Sequence, residues 1–187
     1  MIRLMERRLF IAIPLPETTI QMLDAVLGDV DASLPRSVRL VPQELWHITV
    51  LFLGDQDDES LPGIDAALRS MYAGKELPIE FERVTYGPPG RPPRMVWATT
   101  TEETSAHIGA LKQRLETELA RNGIEWGHSE HGSFTGHVTL ARFESRDGLQ
   151  PVDERMSEQF IARDLVLFES HLSPEGPTYQ ELLRAPL

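Results

Sequence analysis

The feature that most restricts the fold of this chain is a pair of similar segments, each of which opens with the triplet His-x-Thr. The first reads His47-Ile-Thr-Val-Leu-Phe, and the second, ninety residues later, reads His137-Val-Thr-Leu-Ala-Arg. Around both segments, apolar residues recur in the same order of strand and helix periods. A repeated order of elements predicts two pseudo-symmetric lobes that face each other. The alternative is that alternating strands and helices coincide, as they do in many folds.

Strands and helices alternate through the first half of the chain. The segment Leu9-Phe-Ile-Ala-Ile has the character of a strand and is followed by Pro14 and Pro16. Apolar residues at helical spacing follow these prolines. The predicted elements are strand 9–13, helix 17–32, a short extended segment 38–41, strand 46–53, helix 59–71 and strand 77–86.

The second half repeats this order. A proline-rich loop over 87–93 precedes a strand, and Thr100 stands three residues before Glu103, the spacing of a helix capping box. An apolar stripe predicts that the helix ends near Gly123. Residues 147–158 are polar and poorly periodic, so no element is predicted there. The predicted elements are strand 94–99, this helix, and strands 137–143, 162–169 and 179–183.

Length and composition favour one folding unit. The chain has 187 residues, within the range of a single domain, and no flexible linker divides its halves. We therefore expect one bilobal domain over residues 1–187, of mixed α/β (α+β) class.

Charge, cysteine content and hydropathy exclude several kinds of protein. Eighteen basic and 29 acidic residues give a net charge of −11, which disfavours a protein that grips duplex nucleic acid along its length. The absence of cysteine excludes a thiolate nucleophile and any cysteine-ligated metal. No apolar run approaches the ~20 residues of a bilayer crossing, and the charged beginning of the chain lacks a signal-peptide core. We expect a cytoplasmic protein with no membrane partner.

The spacing within each triplet fixes which side chains share a face. Residues i and i+2 of a strand point to the same side, so His47 shares a face with Thr49, and His137 with Thr139. The intervening residues turn to the opposite face, and Phe52 is expected to join them there and to pack under helices. If the two lobes are related by a two-fold axis, both polar faces line one cleft.

Such a cleft suits the hydrolysis of a phosphodiester. The attacking water must lose a proton and the leaving oxygen must gain one, and two imidazoles divide these tasks near neutral pH. Two threonine hydroxyls would hold the non-bridging oxygens where charge accumulates, in place of a metal. The alternative for either triplet alone is a structural strand with a hydrogen-bonded core histidine. The pair of triplets favours catalysis.

The chain resembles a known family over nearly its whole length. The resemblance rests on the motifs Arg8-Leu-Phe-Ile-Ala-Ile-Pro-Leu-Pro, Trp46-His-Ile-Thr-Val-Leu-Phe-Leu-Gly, Pro93-Arg-Met-Val-Trp and Phe134-Thr-Gly-His-Val-Thr-Leu-Ala-Arg, and on Leu167-Phe-Glu-Ser with Gly176 and Tyr179. These motifs are similar to those of the 2H phosphoesterases, in particular the RNA 2′,3′-cyclic phosphodiesterases, also called 2′-5′ RNA ligases. The resemblance implies a bilobal, pseudo-two-fold duplicated fold, with two antiparallel sheets around a central cleft and helices outside.

The resemblance also implies an activity and a role for each motif residue. The reaction would open a terminal 2′,3′-cyclic phosphate to a 2′-phosphate without metal or other cofactor. His47 would be the general acid for the 3′-oxygen and His137 the base that activates water, while Thr49 and Thr139 hold the phosphate. The chain departs from the family at Gly136, where relatives often have proline.

Arg142 is a further candidate phosphate ligand, because relatives commonly carry arginine at this position. Strict alternation places it opposite His137, so it reaches the phosphate only if a bulge or the strand end redirects it. The alternative is a surface arginine paired with a carboxylate.

Other interpretations of the sequence remain open. His128 and His131 have a spacing that is compatible with a metal site, but a glycine-flanked loop gives them no fixed face, so no metal is expected. The same catalytic site could instead ligate RNA through a 2′-hydroxyl, and a third possibility is a non-catalytic module that binds RNA ends or nucleotides. The expected partners are RNA ends or cyclic nucleotides with a 2′,3′-cyclic phosphate, and no obligate protein partner is evident.

Overall fold

The computed structural model describes residues 6–35, 37–72, 76–127, 134–144, 149–174 and 176–187. In these ranges the chain forms nine strands and three α-helices. The strands are β1 (Arg7–Pro14), β2 (Arg39–Leu40), β3 (His47–Gln56), β4 (Leu77–Gly87), β5 (Met95–Thr100), β6 (His137–Arg142), β7 (Asp153–Ala162), β8 (Asp164–Ser173) and β9 (Gly176–Pro186). The helices are α1 (Glu17–Val30), α2 (Leu61–Arg69) and α3 (Glu102–Arg121).

The strands form two antiparallel sheets, which confirms the predicted α/β class and sheet type. The first sheet has the order β3-β1-β8-β9, and the second has the order β2-β6-β5-β4-β7. Strand β3 forms one edge of the first sheet, and β6 lies next to the short edge strand β2 in the second. The sheets approach each other along these two strands, since β3 and β6 contact one another.

The two sheets are built in the same way, but they do not coincide with the two halves of the sequence. In each sheet the strand that begins with His-x-Thr pairs with the strand that opens its own half, namely β3 with β1 and β6 with β5. The next strand comes from the other half: β8 pairs with β1, and β4 pairs with β5. Each half of the chain therefore contributes strands to both sheets.

The helices pack against the two sheets through stripes of apolar side chains. The buried side chains of α1 include Leu23, Leu27 and Val30, and those of α3 include Ile108 and Leu119. One cluster of buried residues runs through both sheets and all three helices. Helix α1 contacts β7, whereas α2 and α3 contact one another, and α3 also contacts β3 and β4. Among the described residues, no helix combines the length and the apolar character that a membrane crossing requires.

The sequence missed one strand and misplaced one helix cap. Strand β7 covers part of the segment for which no element was predicted. It lies at the edge of the second sheet, and most of its side chains are exposed or half-buried, so its composition carries no apolar period. The cap of α3 is Thr101, whose hydroxyl accepts from the Thr104 N–H, rather than Thr100. Thr100 is a buried residue of β5 with other partners, described below.

A bulge stands at the same place in both His-x-Thr strands. In β3, Leu51 pairs with Ile11 and Thr49 with Ala12, so Val50 is an extra residue. In β6, Ala141 and Thr139 pair with consecutive residues of β5, so Leu140 is extra in the same way. The order of burial over the first six residues is also the same in the two strands. A bulge restarts the alternation of side chains, so the residues beyond it change face.

Candidate active site

The two predicted histidines lie on the strands along which the sheets meet. Their charges are close enough that a proton on His137 lowers the pKa of His47. The segment that precedes β3 also joins the two sheets, because the Val41 N–H donates to the Leu140 carbonyl over 2.8 Å. The fold therefore brings the two His-x-Thr segments together.

Each imidazole is fixed by the same backbone contact. Nδ1 of His47 lies 2.7 Å from the Leu45 carbonyl oxygen, and Nδ1 of His137 lies 2.8 Å from the Thr135 carbonyl oxygen. A carbonyl only accepts, so Nδ1–H is the donor in both rings. In the neutral form this leaves Nε2 without a proton, free to accept one. Nε2 of His47 accepts from the Thr49 hydroxyl at 3.0 Å.

His47 lies in an aromatic cluster on the first sheet. We define this cluster by its members: Phe10, His47, Phe52, Phe168 and Tyr179. The Phe10 ring is central, with its centroid 4.9 Å from that of His47, 6.0 Å from Phe52, 5.3 Å from Phe168 and 4.9 Å from Tyr179. Tyr179 also meets His47 edge-on at 5.4 Å. These rings restrict water around one side of the imidazole.

His137 lies against an indole on the second sheet. The Trp97 ring is stacked on His137 with centroids 3.7 Å apart and an interplanar angle of 20°. Gly87 makes room for the indole, since a Cβ there would lie 2.2 Å from a Trp97 ring carbon. An indole face stabilises a cation, so Trp97 favours the protonated form of His137 when it arises.

Burial keeps both imidazoles neutral in the ligand-free protein. It lowers the pKa of His47 to about 4, with further lowering from the charges of His137 and Arg142 and an opposing contribution from the Leu45 carbonyl. Burial likewise lowers the pKa of His137, opposed by the Thr135 carbonyl and assisted by Arg142. Both groups are therefore proton acceptors at neutral pH until an anion arrives.

Arg142 stands beyond the bulge at Leu140, so strict alternation, which placed it opposite His137, does not hold in β6. Its charge adds to the burial that lowers the pKa of His47 and of His137, and it opposes the burial that raises the pKa of Tyr179. The side chain is exposed and donates from Nη1 to the Met95 sulfur at 3.3 Å. The sequence analysis expected Arg142 to reach the phosphate only if a bulge or the strand end redirected it, and β6 contains such a bulge.

Phe52 corrects a second prediction made from strict alternation. The sequence placed it with Ile48 and Val50, under the helices, but 65% of its surface is exposed. It is the cross-strand partner of Phe10 and belongs to the same aromatic cluster as His47. The bulge at Val50 accounts for the difference, because it moves Phe52 to the face of His47.

The approach to the second triplet is built around Gly136. Its N–H donates to the Ser105 hydroxyl at 3.1 Å, and its carbonyl accepts from the Thr100 N–H at 2.9 Å. The two hydroxyls of Thr100 and Ser105 are 2.9 Å apart. A Cβ at position 136 would lie 2.4 Å from the Thr100 hydroxyl oxygen. The Thr100 hydroxyl therefore fills the space beside Gly136, and the Ser105 hydroxyl accepts the hydrogen bond from its N–H. A proline at this position would clash with the first hydroxyl and could not donate to the second.

A cavity of about 840 Å³ adjoins the His137 side of the site. Its walls include Arg83, Thr85, Trp97, Thr99 and Thr135. Trp97 therefore contacts both the catalytic candidate and this cavity, although the sequence analysis named it only as part of the motif Pro93-Arg-Met-Val-Trp and gave it no role. The remaining candidates from the sequence, His128 and His131, lie outside the described residues.

Comparison with known proteins finds relatives that match most of the chain. The family described as the 2′-5′ RNA ligase superfamily matches residues 32–171. A protein of Archaeoglobus fulgidus named RNA 2′,3′-cyclic phosphodiesterase is 30% identical over 94% of this chain and 97% of its own length. A protein of Methanocaldococcus jannaschii with the same name is 25% identical over 92% and 96%.

Solved structures have the same architecture. The crystal structure of the protein TT0787 from Thermus thermophilus superposes with a TM-score of 0.76, at 25% identity over 96% of this chain and 97% of that one. The crystal structure of E. coli LigT complexed with 3′-AMP gives a TM-score of 0.78 at 20% identity over 98% and 99%. At that identity the second comparison supports the fold alone.

Proposed function

This chain belongs to the 2′-5′ RNA ligase superfamily, and on that premise we propose that it hydrolyses terminal 2′,3′-cyclic phosphates of RNA to 2′-phosphates. The observation that carries the proposal is the matched pair of imidazoles on facing strands, each fixed through Nδ1 by the carbonyl two residues earlier. Such a pair supplies one proton acceptor and one donor on the two sides of a phosphorus atom. The names of the relatives support the choice of substrate.

In the proposed reaction, a water oxygen attacks phosphorus and the bond from phosphorus to the 3′-oxygen breaks. His137 takes the proton of the water on Nε2, and His47 gives a proton from Nε2 to the departing 3′-oxygen. The product carries a 2′-phosphate and a 3′-hydroxyl. Trp97 stabilises the imidazolium that forms at His137. Both proton transfers therefore use histidine side chains of the protein.

His47 must carry a proton before it can act as the acid, although burial lowers its pKa to about 4. The substrate supplies the missing charge, because a phosphodiester monoanion beside two imidazoles raises the pKa of both. Substrate binding and proton uptake are therefore linked. A protonated His47 no longer accepts from Thr49, so the Thr49 hydroxyl becomes available to a phosphate oxygen.

The anion contacts come from neutral hydroxyls and one cation. Thr49 and Thr139 share the faces of the two histidines, and Arg142 stands beyond the second triplet with its charge close to both imidazoles. Two hydroxyls and a guanidinium can stabilise the charge that develops on the non-bridging oxygens. We propose on this chemistry that the reaction proceeds without a metal. We also propose that the protein acts as one domain in the cytoplasm.

An assay of the purified protein on an oligonucleotide with a 2′,3′-cyclic phosphate tests the proposal. The expected product is the 2′-phosphate isomer, formed equally well in excess EDTA, and the matched control is the His47→Ala, His137→Ala double variant. A 3′-phosphate product would contradict the assigned leaving oxygen. Binding without turnover would contradict hydrolysis and favour a binding module, and joined oligonucleotides would favour ligation.

A further inference from the structure

A row of paired residues crosses the second sheet from His137 to the edge strand β7. Thr99 is the cross-strand partner of His137, Arg83 is the partner of Thr99, and Arg155 is the partner of Arg83. Cross-strand partners point to the same face of a sheet, so both arginines share the face of His137. Neighbouring strands are ~4.8 Å apart, which places the backbone of Arg83 ~10 Å from that of His137 and the backbone of Arg155 ~14 Å from it.

The two arginines stand side by side in a chain that has an excess of acidic residues. Like charges directly opposite each other in a sheet repel. The chain has 29 acidic and 18 basic residues, yet Arg155 is exposed and forms no ion pair within the part of the chain that the structure describes. Anions beside the two guanidiniums would remove this repulsion.

Arg83 has two acidic neighbours, but it is held loosely by both. Its Nη1 donates to Asp153 Oδ1 at 3.3 Å, and its Nε lies 3.3 Å from Glu82 Oε1 without a hydrogen bond. The side chains of Glu82 and Asp153 are 41% and 62% exposed, so water competes for both carboxylates. The guanidinium can therefore exchange a carboxylate for a phosphate, which it binds bidentately.

The face in front of this row has room for a ligand. Arg83 and Thr99 line the cavity of about 840 Å³, a volume typical of sites for small organic molecules. The hydroxyls of Thr85 and Thr99 already donate to the carbonyls of Val152 and Arg83. The arginines are therefore the groups of this row that can bind an anion.

We propose that Arg83 and Arg155 bind internucleotide phosphates of an RNA strand whose cyclic end lies between His47 and His137. This inference rests on the proposed function. A 2′,3′-cyclic phosphate is the 3′ end of its strand, so the other nucleotides continue from the 5′-oxygen, past Arg83 first and Arg155 second. The row thus selects oligonucleotides over mononucleotides, although a net charge of −11 gives the chain little general attraction for RNA.

The first test varies the number of internucleotide phosphates in the substrate. Adenosine 2′,3′-cyclic phosphate has none, and the diadenylate and triadenylate with the same cyclic end have one and two. The kcat/KM of the wild type should rise about fivefold with the first phosphate and again with the second. A diadenylate with a neutral methylphosphonate linkage is the matched control and should lose the gain. A gain that survives the neutral linkage, or no gain at all, would overturn the proposal.

Variants assign each gain to one arginine. Arg83→Gln should abolish the gain from the first phosphate, whereas Arg155→Gln should abolish only the gain from the second. Asp153→Asn removes a carboxylate that competes for Arg83, so it should enlarge the first gain, which a purely structural role of this ion pair would not do. Arg155→Gln breaks no ion pair between described residues, so it tests the row even if Arg83→Gln fails to fold.

Arg163 offers a matched control for the loss of one charge. It is exposed and lies between β7 and β8, at the far end of β7 from Arg155. Arg163→Gln should retain both gains. Losses in Arg163→Gln as large as those in the other two arginine variants would show a general effect of net charge and would overturn the row.

A binding experiment separates this proposal from the proposed function. Calorimetry with a triadenylate that ends in a 2′-phosphate needs no turnover, and it is repeated at several salt concentrations. The slope of log K against log salt should become shallower by ~0.7 for each of Arg83 and Arg155 that is replaced by glutamine. If the wild type hydrolyses no cyclic phosphate but these slopes change as expected, the hydrolytic function fails while the row stands. Hydrolysis with unchanged slopes would overturn the row alone.

Discussion

The hydroxyl of Thr49 donates to Nε2 of His47 over 3.0 Å, so two residues that the proposed reaction needs engage each other in the ligand-free protein. Substrate must break this bond before either residue can act on the phosphate. His137 has a different neighbour, the indole of Trp97. The two histidines thus make the same kind of backbone contact, but their second neighbours differ: a threonine hydroxyl for His47 and an indole for His137.

Removal of the Thr49 hydroxyl should lower kcat/KM by about tenfold, because one neutral hydrogen bond to the phosphate is lost. Thr49→Val tests this expectation with little change of shape, and Thr49→Ser, which keeps the hydroxyl, should remain within about threefold of the wild type. Steady-state kinetics on adenosine 2′,3′-cyclic phosphate provide the measurement. Equal losses in the two variants would point to packing instead of hydrogen bonding.

Replacement of either histidine by alanine should lower kcat by ~10²-fold or more, because each performs one of the two proton transfers. The histidines act in one transition state, so the double variant should lose much less than the product of the two single losses. Single-turnover assays provide the rates, and circular dichroism confirms folding. Near-normal turnover in both single variants would exclude the two-histidine mechanism.

Protein stability should fall as the pH drops from about 6.5 toward 4. The folded pKa of His47, about 4, lies below its unfolded value, so the unfolded chain binds more protons in this range and is favoured by acid. The effect of His47 amounts to ~3 kcal/mol at most. Urea unfolding at pH 7 and pH 4.5 should show a smaller loss for His47→Gln than for the wild type. Parallel losses in the two proteins would show that His47 keeps an ordinary pKa.

Arg142→Gln should raise KM for the cyclic phosphate by about tenfold, since a charge-assisted contact to the anion is lost. It should also raise the pKa of both histidines, because the positive charge of Arg142 disfavours their protonation. Titration of the imidazole resonances by NMR measures this second effect without substrate. Arg142→Lys, which retains the charge, should leave the pKa of both close to wild type. Unchanged titration in Arg142→Gln would place the guanidinium away from the site.

A side chain at position 136 should destabilise the fold by ~2 kcal/mol or more. Gly136→Ala places a Cβ 2.4 Å from the Thr100 hydroxyl oxygen, and Gly136→Pro also deletes the N–H that donates to Ser105. Gly28→Ala is the matched control, because a Cβ there meets nothing within 4 Å. Thermal unfolding of the three variants measures the differences. A Gly136→Pro variant as stable as the wild type would contradict the role of the hydroxyl pair.

The sequence predicted those features that depend on local period. The alternation of apolar and polar residues placed His47 with Thr49 and His137 with Thr139, and the apolar stripe of α3 is buried as expected. Strand β7 escaped prediction because an edge strand with exposed side chains needs no apolar pattern. Strand β1, by contrast, is buried over five consecutive residues, and this continuous apolar run made the strand easy to predict.

Features that depend on pairing between distant segments could not be predicted. The bulges at Val50 and Leu140 exist only relative to the partner strands, so nothing within β3 or β6 reveals that Phe52 and Arg142 change face. The stacking of Trp97 on His137 likewise depends on a glycine ten residues before the tryptophan. These pairings decide which side chains surround the two predicted histidines.

The exchange of strands between the two sheets has a consequence for how the protein is made. Strand β1 leaves the ribosome well before β8, which flanks it in the sheet and begins at Asp164. One of the two partners of β1 is therefore synthesised long after β1 itself, and such long-range pairing forms slowly. Until β8 arrives, the apolar segment Leu9 to Ile13 has one unpaired edge. The nascent chain must keep that edge from associating with other chains throughout this interval.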